Sequence, residues 1–457
     1  MNEILRTPDL RLHVKASVVL GVPLIGAHMA QMLIGIVDTI MLGWLGVEEL
    51  AAGVLAFQTF FIFLIFGLGF AGAMVPLVAE ALGRGEPREV RRSARMGLWV
   101  LMLLACFFMI PLWFTENMLL ALGQEPNLAE LAGRYMRIAQ WSMIPAFVLI
   151  GLRTFLTSLE KAQSVLWFTV GTAILNAVLN YAFIFGNLGA PKLGIEGAAV
   201  ATLLSNIIVA VVTIFYVIWD KESAPFEIFK RIWVPDWAAF QAIVALGLPI
   251  SLTILAEAGL FSAASIMMGW LGTVPLAAHG IAIQIASMAF MVPLGLAQVA
   301  SVRVGNAAGR KDWQAVTGAS HAVIFMSITF GIVSAIWFFT APEPLIKIFL
   351  DEKNGNTMEV LAYAVPLMAM AGAFQIVDGL QAVASGSLRG LMDTKVPLII
   401  AVISYWPIGC SAAWLFAFHY GFGGVGVWGG LVVGLTAASV LMLHRFLKRR
   451  ELGLTEG

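Results

Sequence analysis

The chain has 457 residues, 60% of them hydrophobic and 12% charged, with a formal net charge of zero and a mean hydropathy of +0.90. Such a composition excludes a water-soluble protein and places the chain in a bilayer. Two cysteines, Cys106 and Cys410, both inside apolar runs, support neither a disulfide framework nor a thiolate metal site.

In chain order, apolar runs cover 17–41, 54–79, 97–121, 139–159, 164–185, 197–219, 240–268, 277–302, 316–340, 360–387, 396–419 and 427–447. Each is long enough, or nearly so, to cross ~30 Å of hydrocarbon as a helix. The expectation is an all-α polytopic membrane protein with twelve transmembrane helices. The first run follows Arg6, Arg11 and Lys15 and lacks a small-residue cleavage site, so it is expected to be retained.

The runs repeat. Leu20-Gly21-Val22-Pro23 recurs 226 positions later as Leu246-Gly247-Leu248-Pro249, and Gly43-Trp44-Leu45-Gly46 as Gly269-Trp270-Leu271-Gly272. Leu50-Ala51-Ala52, Gln58 and Gly83-Arg84 find Leu276-Ala277-Ala278, Gln284 and Gly309-Arg310 at the same spacing. Two homologous sets of apolar helices are the mark of a transporter whose path lies where the halves meet. Six spans per half give both repeats the same orientation, which predicts two parallel six-helix repeats related by a pseudo-two-fold axis along the membrane normal. The expected boundaries are 1–220 for the first lobe, 221–237 for a cytoplasmic linker with a short amphipathic stretch, and 238–457 for the second lobe. Pro23 and Pro249 occupy equivalent places and are expected to bend their helices.

Basic residues are distributed unevenly. The loops after even-numbered spans, the linker and both termini carry 22 of the 27 Lys and Arg, leaving Arg134, Arg137, Lys192, Lys347 and Lys353 for the other side. Both termini are therefore expected in the cytoplasm. Arg153 and Arg389 count here as charges flanking the cytoplasmic ends of spans four and ten.

Three carboxylates interrupt the apolar runs: Asp38 in span one, Glu257 in span seven and Asp378 in span ten. Charge at that depth costs several kcal/mol unless it is neutralised, paired or facing water. The bland alternative is a protonated carboxyl bonded to a neighbouring helix. The duplication weighs against it, since Gln31 stands where the second half has Glu257, and Ala264 where the first half has Asp38. The fold tolerates a neutral residue at both places. Asn176 and Asn180 share one face of span five and would form a polar pocket with Asp38 if spans one and five pack together. Gln284 in span eight and Gln381, three residues after Asp378, are the polar candidates of the second half, where Glu257 and Asp378 could hold a desolvated Na⁺ or share a proton. His28 and His279 read more simply as packing residues.

No phosphate-binding Gly-rich loop, His-Glu-x-x-His or Gly-x-Ser-x-Gly motif is present, so an enzyme is not expected and an ion gradient is the ordinary source of energy. Asp38 within Gly35-Ile36-Val37-Asp38-Thr39-Ile40-Met41-Leu42-Gly43, the paired Gly-Trp-Leu-Gly segments, Asn176-Ala177-Val178-Leu179-Asn180-Tyr181, Glu257 and Asp378-Gly379-Leu380-Gln381 together resemble the multidrug and toxic compound extrusion (MATE) family, and within it the NorM-like branch. The resemblance covers nearly the whole chain. It implies a two-lobed antiporter of the bacterial inner membrane that expels cationic or amphiphilic drugs in exchange for Na⁺ or H⁺. Asp38, with Asn176 and Asn180 beside it, then corresponds to the N-lobe acid, and Glu257 and Asp378 to C-lobe acids implicated in cation binding. The archaeal and DinF-like branches commonly carry an acid where Asn180 stands, so proton-only coupling by an Asp pair is disfavoured. No cofactor, nucleic acid or ATPase subunit is expected, only small-molecule substrates, membrane lipids and a functional monomer. The rival on the same architecture is a flippase or exporter of a lipid-linked or other amphiphilic metabolite. It would want basic side chains within the spans.

Overall fold

The computed structural model describes residues 10–350 and 357–455; Arg6 and Lys353 of the charge distribution lie outside them. Among the described residues every regular element is helical. Twelve helices are long and apolar enough to cross a bilayer: α1 Leu10–Leu45, α2 Val47–Gly83, α3 Pro87–Trp113, α4 Pro126–Ser158, α5 Ala162–Phe185, α6 Ile195–Trp219, α7 Trp237–Leu271, α8 Thr273–Gly309, α9 Trp313–Thr340, α10 Thr357–Gly390, α11 Lys395–His419 and α12 Gly423–Leu447. Val19, Phe107, Ile174 and Val333 are among the large apolar side chains left exposed, a surface suited to lipid rather than water.

Most helices outrun the apolar stretches that announced them. α3 begins at Pro87 and takes in Arg88, Arg91, Arg92 and Arg95, helical residues that hydropathy cannot see; proline suits the first turn because its missing N–H would find no partner there. The same run breaks at Phe114, and Thr115–Ala121 forms a separate short helix. α11 departs further, since Ser404–Cys410 and Leu415–His419 are π-helical. Pro407 cannot donate to a carbonyl one turn back, and the ladder around it widens instead of merely bending.

Packing divides the chain into two units, Gly26–Ser251, and Met1–Ile25 together with Leu252–Gly457. The cuts fall inside α1 and α7, two residues beyond Pro23 and Pro249, and not in the linker where the duplication divides the sequence. They are 226 positions apart, so the exchange of half a helix itself obeys the repeat. Within the first unit the leading half of α7 lies against α2: Ser251 Oγ donates to Phe66 O at 2.6 Å, and a Cβ on Gly69 would stand 2.4 Å from Ser251 N. Within the second the leading half of α1 lies against α8, where a Cβ on Gly295 would stand 2.6 Å from Ile25 Cγ1 and Arg303 Nη1 donates to Ser17 Oγ at 2.6 Å. Gly69 and Gly295 are equivalent in the repeat, as are Ser251 and Ile25. Bare backbone at these places lets two helices touch.

In the second unit α10 is packed on α8, α9 and α12. Glycines at 372, 379 and 386 face its neighbours; a Cβ on each would stand 3.1 Å from Ala335 Cα, 2.8 Å from Ser327 Oγ and 2.3 Å from Ala297 O. This close fit carries Asp378 into the interior.

The linker is a series of turns with one 3-10 turn at Ala224–Phe226 and no amphipathic helix. Its shape comes from α3. Trp99 Nε1 donates to Ile232 O at 2.6 Å, Arg91 Nε to Phe226 O at 2.8 Å, and Arg92 grips both carboxylate oxygens of Asp236. Asp236 Oδ1 also accepts from Ala239 N at 3.2 Å, closing the first turn of α7. The Arg92 guanidinium holds the Asp236 carboxyl down at about 2, against the partial opposition of burial.

Gly69→Ala is expected to lower the melting temperature of the purified protein well beyond Gly72→Ala, whose new methyl would meet Ile250 Cγ2 at an ordinary 3.7 Å; equal shifts would show that the α2–α7 crossing is loose. The overpacked variant should lose roughly 1–3 kcal/mol. Because Asp236 ionises lower in the folded protein than its ordinary value near 4, its contribution is whole above about pH 4 and fades as the pH falls toward about 2. Protection of the amides in 221–236, taken relative to the intrinsic exchange rate at each pH, should fall as the pH is lowered across that window and stay constant across it in Asp236→Asn.

Candidate functional site

Each unit holds a polar cluster among its apolar helices. In the first, α5 presents Thr169, Thr172, Asn176 and Asn180 on one buried stripe, spaced three or four residues apart. Asn180 uses both amide hydrogens, donating to Asp38 Oδ1 at 2.5 Å and to Asn176 Oδ1 at 3.1 Å. Asn176 Nδ2 continues to Thr202 Oγ1 on α6 at 3.5 Å, and Thr202 shares a hydrogen bond with Tyr135 of α4. One carboxylate is thus wired through neutral groups to three neighbouring helices. It receives a donor and no counter-charge, since no Lys or Arg forms an ion pair with it among the described residues.

About two turns along the same stripe, Arg153 of α4 donates to Thr172 Oγ1 at 2.8 Å and to Gln31 Oε1 at 3.2 Å. Its guanidinium enters the unit and is more than a flanking charge. Gln31, the counterpart of Glu257, is therefore the partner of an arginine.

In the second unit Phe261 and Phe374 meet edge to face, with centroids 5.9 Å apart. Glu257 lies four residues before Phe261 on α7, and Asp378 four residues after Phe374 on α10. Since α7 and α10 run in opposite directions across a bilayer, both acids fall on the same side of the ring contact, each about 6 Å along its helix. The two carboxylates act on one another electrostatically, and both act on the Tyr405 hydroxyl of α11. Asp378 is 2% exposed and its Oδ1 has no hydrogen-bond partner among the described residues. The same is true of both amide atoms of Gln375 one turn away, of Ser327 Oγ, which faces Gly379, and of Tyr405 Oη. These are oxygen-rich groups of the kind that a hard cation such as Na⁺ takes in place of water. No group of three His, Cys, Asp or Glu side chains, as a transition metal would want, occurs among the described residues.

Spans one and five do come together as the paired asparagines required, and Glu257 and Asp378 share one level. Gln381 turns elsewhere, with Nε2 4.0 Å from Met442 Sδ, and Gln284 stands half-buried without a hydrogen bond among the described residues. His279 is enclosed between Ser265 Oγ, 3.1 Å from Nε2, and the Trp428 ring, in keeping with a packing role. Tyr135, Thr202, Gln375 and Tyr405 are ordinary residue types whose place in these clusters only packing reveals. Arg153 and Arg389 make contacts within their units and do more than flank spans; for Arg153 a clue was available, because it lies within an apolar stretch.

A MatE family model matches residues 23–182 and 249–415, one segment in each repeat. The chain belongs to the MatE family. Proteins called probable multidrug resistance protein NorM in Rhizobium meliloti and Agrobacterium fabrum are 51% and 48% identical to it, over 95% and 96% of this chain and 93% and 95% of theirs. A crystal structure of a eukaryotic MATE transporter shares its fold at a TM-score of 0.85 and 19% identity, covering 98% of this chain and 99% of that one. The MatE segments take in Asp38, Asn176, Asn180, Glu257 and Asp378 alike, and leave out the whole of the linker.

If the amide is what satisfies Asp38, a double-mutant cycle of Asp38→Ala and Asn180→Ala on thermal stability should show coupling of about 1–3 kcal/mol. Additivity within roughly 0.5 kcal/mol would mean that the two groups are neighbours without being partners.

Proposed function

We propose that this MatE-family protein is a secondary antiporter of the bacterial inner membrane that exports cationic or amphiphilic toxic compounds in exchange for Na⁺ or H⁺. The observation that carries the reading is the set of three carboxylates inside spans, Asp38 on neutral donors and Glu257 with Asp378 at one level, none in an ion pair among the described residues. Relatives at up to 51% identity bear the name multidrug resistance protein, which fits an exporter of foreign compounds.

A small ion drives transport only if it binds one conformation better than another. Glu257 and Asp378 supply such a difference when a cation neutralises them in one state and is released in the other. Asp38, with its amide relay, is the complementary group for the positive centre of a substrate or for a second ion. Gln381 and Gln284 contribute polarity near the second cluster rather than a bond to its acids. Both termini are assigned to the cytoplasm by the basic loops, and the chain works as a monomer in contact with lipid, without a cofactor or an ATPase subunit.

One observation favours the lipid-linked or other anionic amphiphile as a second reading: Arg153 and Arg389 supply the basic side chains within spans that such a substrate would need. Three acids within spans outweigh these two charges in favour of a cation.

Reconstituted protein should expel a fluorescent organic cation when a Na⁺ gradient or a pH gradient is imposed separately, and should not move an anionic lipid analogue. Glu257→Gln and Asp378→Asn are each expected to cut the ion-driven rate about tenfold or more, the scale of losing one charged ligand, with membrane levels maintained. Wild-type rates in either variant would remove that residue from the coupling.

A further inference from the structure

Arg389 is a half-buried charge of α10 that the exchange described above does not use. It sits on α10 one residue before the helix ends, eleven residues past Asp378. Its guanidinium folds back along the helix, with Nη2 3.1 Å and Nε 3.3 Å from Ser385 Oγ. Side chains on a helix lean toward its N-terminus, so Arg389 leans toward Asp378. Glu257, on the oppositely directed α7, leans toward the end of α10 where Arg389 lies. The lean of the two side chains therefore closes the gap between them, while Asp378 leans away. The electrostatics follow this order: Arg389 acts on Glu257, Glu257 acts on Asp378, and Tyr405 feels all three. Arg389 forms no ion pair within 4 Å of either acid among the described residues.

The repeat supplies a comparison. In the other unit an arginine of the corresponding fourth helix, Arg153, reaches the residue equivalent to Glu257, and there the residue is the neutral Gln31. Both units thus carry an arginine on the fourth helix of the repeat, Arg153 bonded to Gln31 and Arg389 bonded to Ser385 of its own helix, although the two are not at equivalent positions. An acid at the place of Gln31, and hence a carboxylate that a mobile cation could contest, belongs to one of them.

We infer that Arg389 is a tethered counter-cation that competes with the transported cation for Glu257. With the site empty, its fixed charge compensates the carboxylate and lowers the affinity for an incoming ion. Release toward the α10 C-terminal end, the cytoplasmic side in the orientation proposed above, is then exchange of a mobile cation for a resident one and leaves no bare charge in hydrocarbon. This inference rests on Glu257 being a cation-binding group.

The test is equilibrium binding of ²²Na⁺, and separately of tetraphenylphosphonium, to purified wild-type protein and to R389Q, R389K, E257Q and E257Q/R389Q. The half-saturating concentration of whichever cation binds should fall roughly tenfold in R389Q, the scale of removing one charge at this range in a protein interior. R389K should stay near wild type, and R389Q should bring no gain in the E257Q background. An unchanged affinity in folded R389Q, an equal gain without Glu257, or no saturable binding of either cation by wild type would each overturn the inference. Should R389Q fail to fold, R389M, which keeps the apolar stem, is measured in its place. If both fail, folding restored in E257Q/R389Q supports the charge pairing, and failure there too marks Arg389 as structural. Ion-driven efflux at the wild-type rate in E257Q would sink the coupling role of Glu257 itself, whereas impaired E257Q beside an unchanged R389Q affinity sinks only the role of Arg389.

Discussion

A carboxylate set among apolar helices must be matched by something, because leaving it bare away from water costs several kcal/mol. Much of the interior follows from that constraint. Asp38 is matched by the amide of Asn180, which passes the demand through Asn176 and Thr202 to Tyr135 on four different helices. Glu257 and Asp378 are matched less completely: an arginine acts on one from beyond ion-pair range, and an oxygen of the other has no partner among the described residues.

The duplication shows how one scaffold came to carry both. Equivalent glycines, Gly69 and Gly295, bring the leading halves of α7 and α1 against α2 and α8, and equivalent prolines stand just before the points where those helices change unit. Architecture is thus shared to within a residue. Chemistry is not, for Asp38 answers to Ala264 and Glu257 to Gln31. Packing constrains every position on a helix face, whereas a polar site constrains only the few that touch it, so the site was free to diverge while the frame was kept.

How much of this was legible beforehand depended on the range of the signal. The span count needs only local hydropathy, and it emerged although the basic start of α3 and the break at Phe114 shifted particular ends. The Asn176 and Asn180 pair was readable because four residues return a helix to the same face. Gln381 shares a face with Asp378 by the same rule and yet turns to Met442, since a shared face does not say which neighbour it meets. Tyr405 was hidden by a different cause: the widened turns of the π-helical segment upset the periodicity that would have assigned its direction.

The sequence by itself determined the solvent, the number of helices, their duplication and the three acids that lie within spans, because each of these is a property of composition or of spacing along one chain. Tertiary structure alone decided that α1 and α7 each divide between two packing units, that Arg153 and Arg389 turn inward, and which groups surround each carboxylate. Those outcomes depend on contacts between residues far apart in the chain, and a helical pattern fixes the direction of a side chain without naming what it will face.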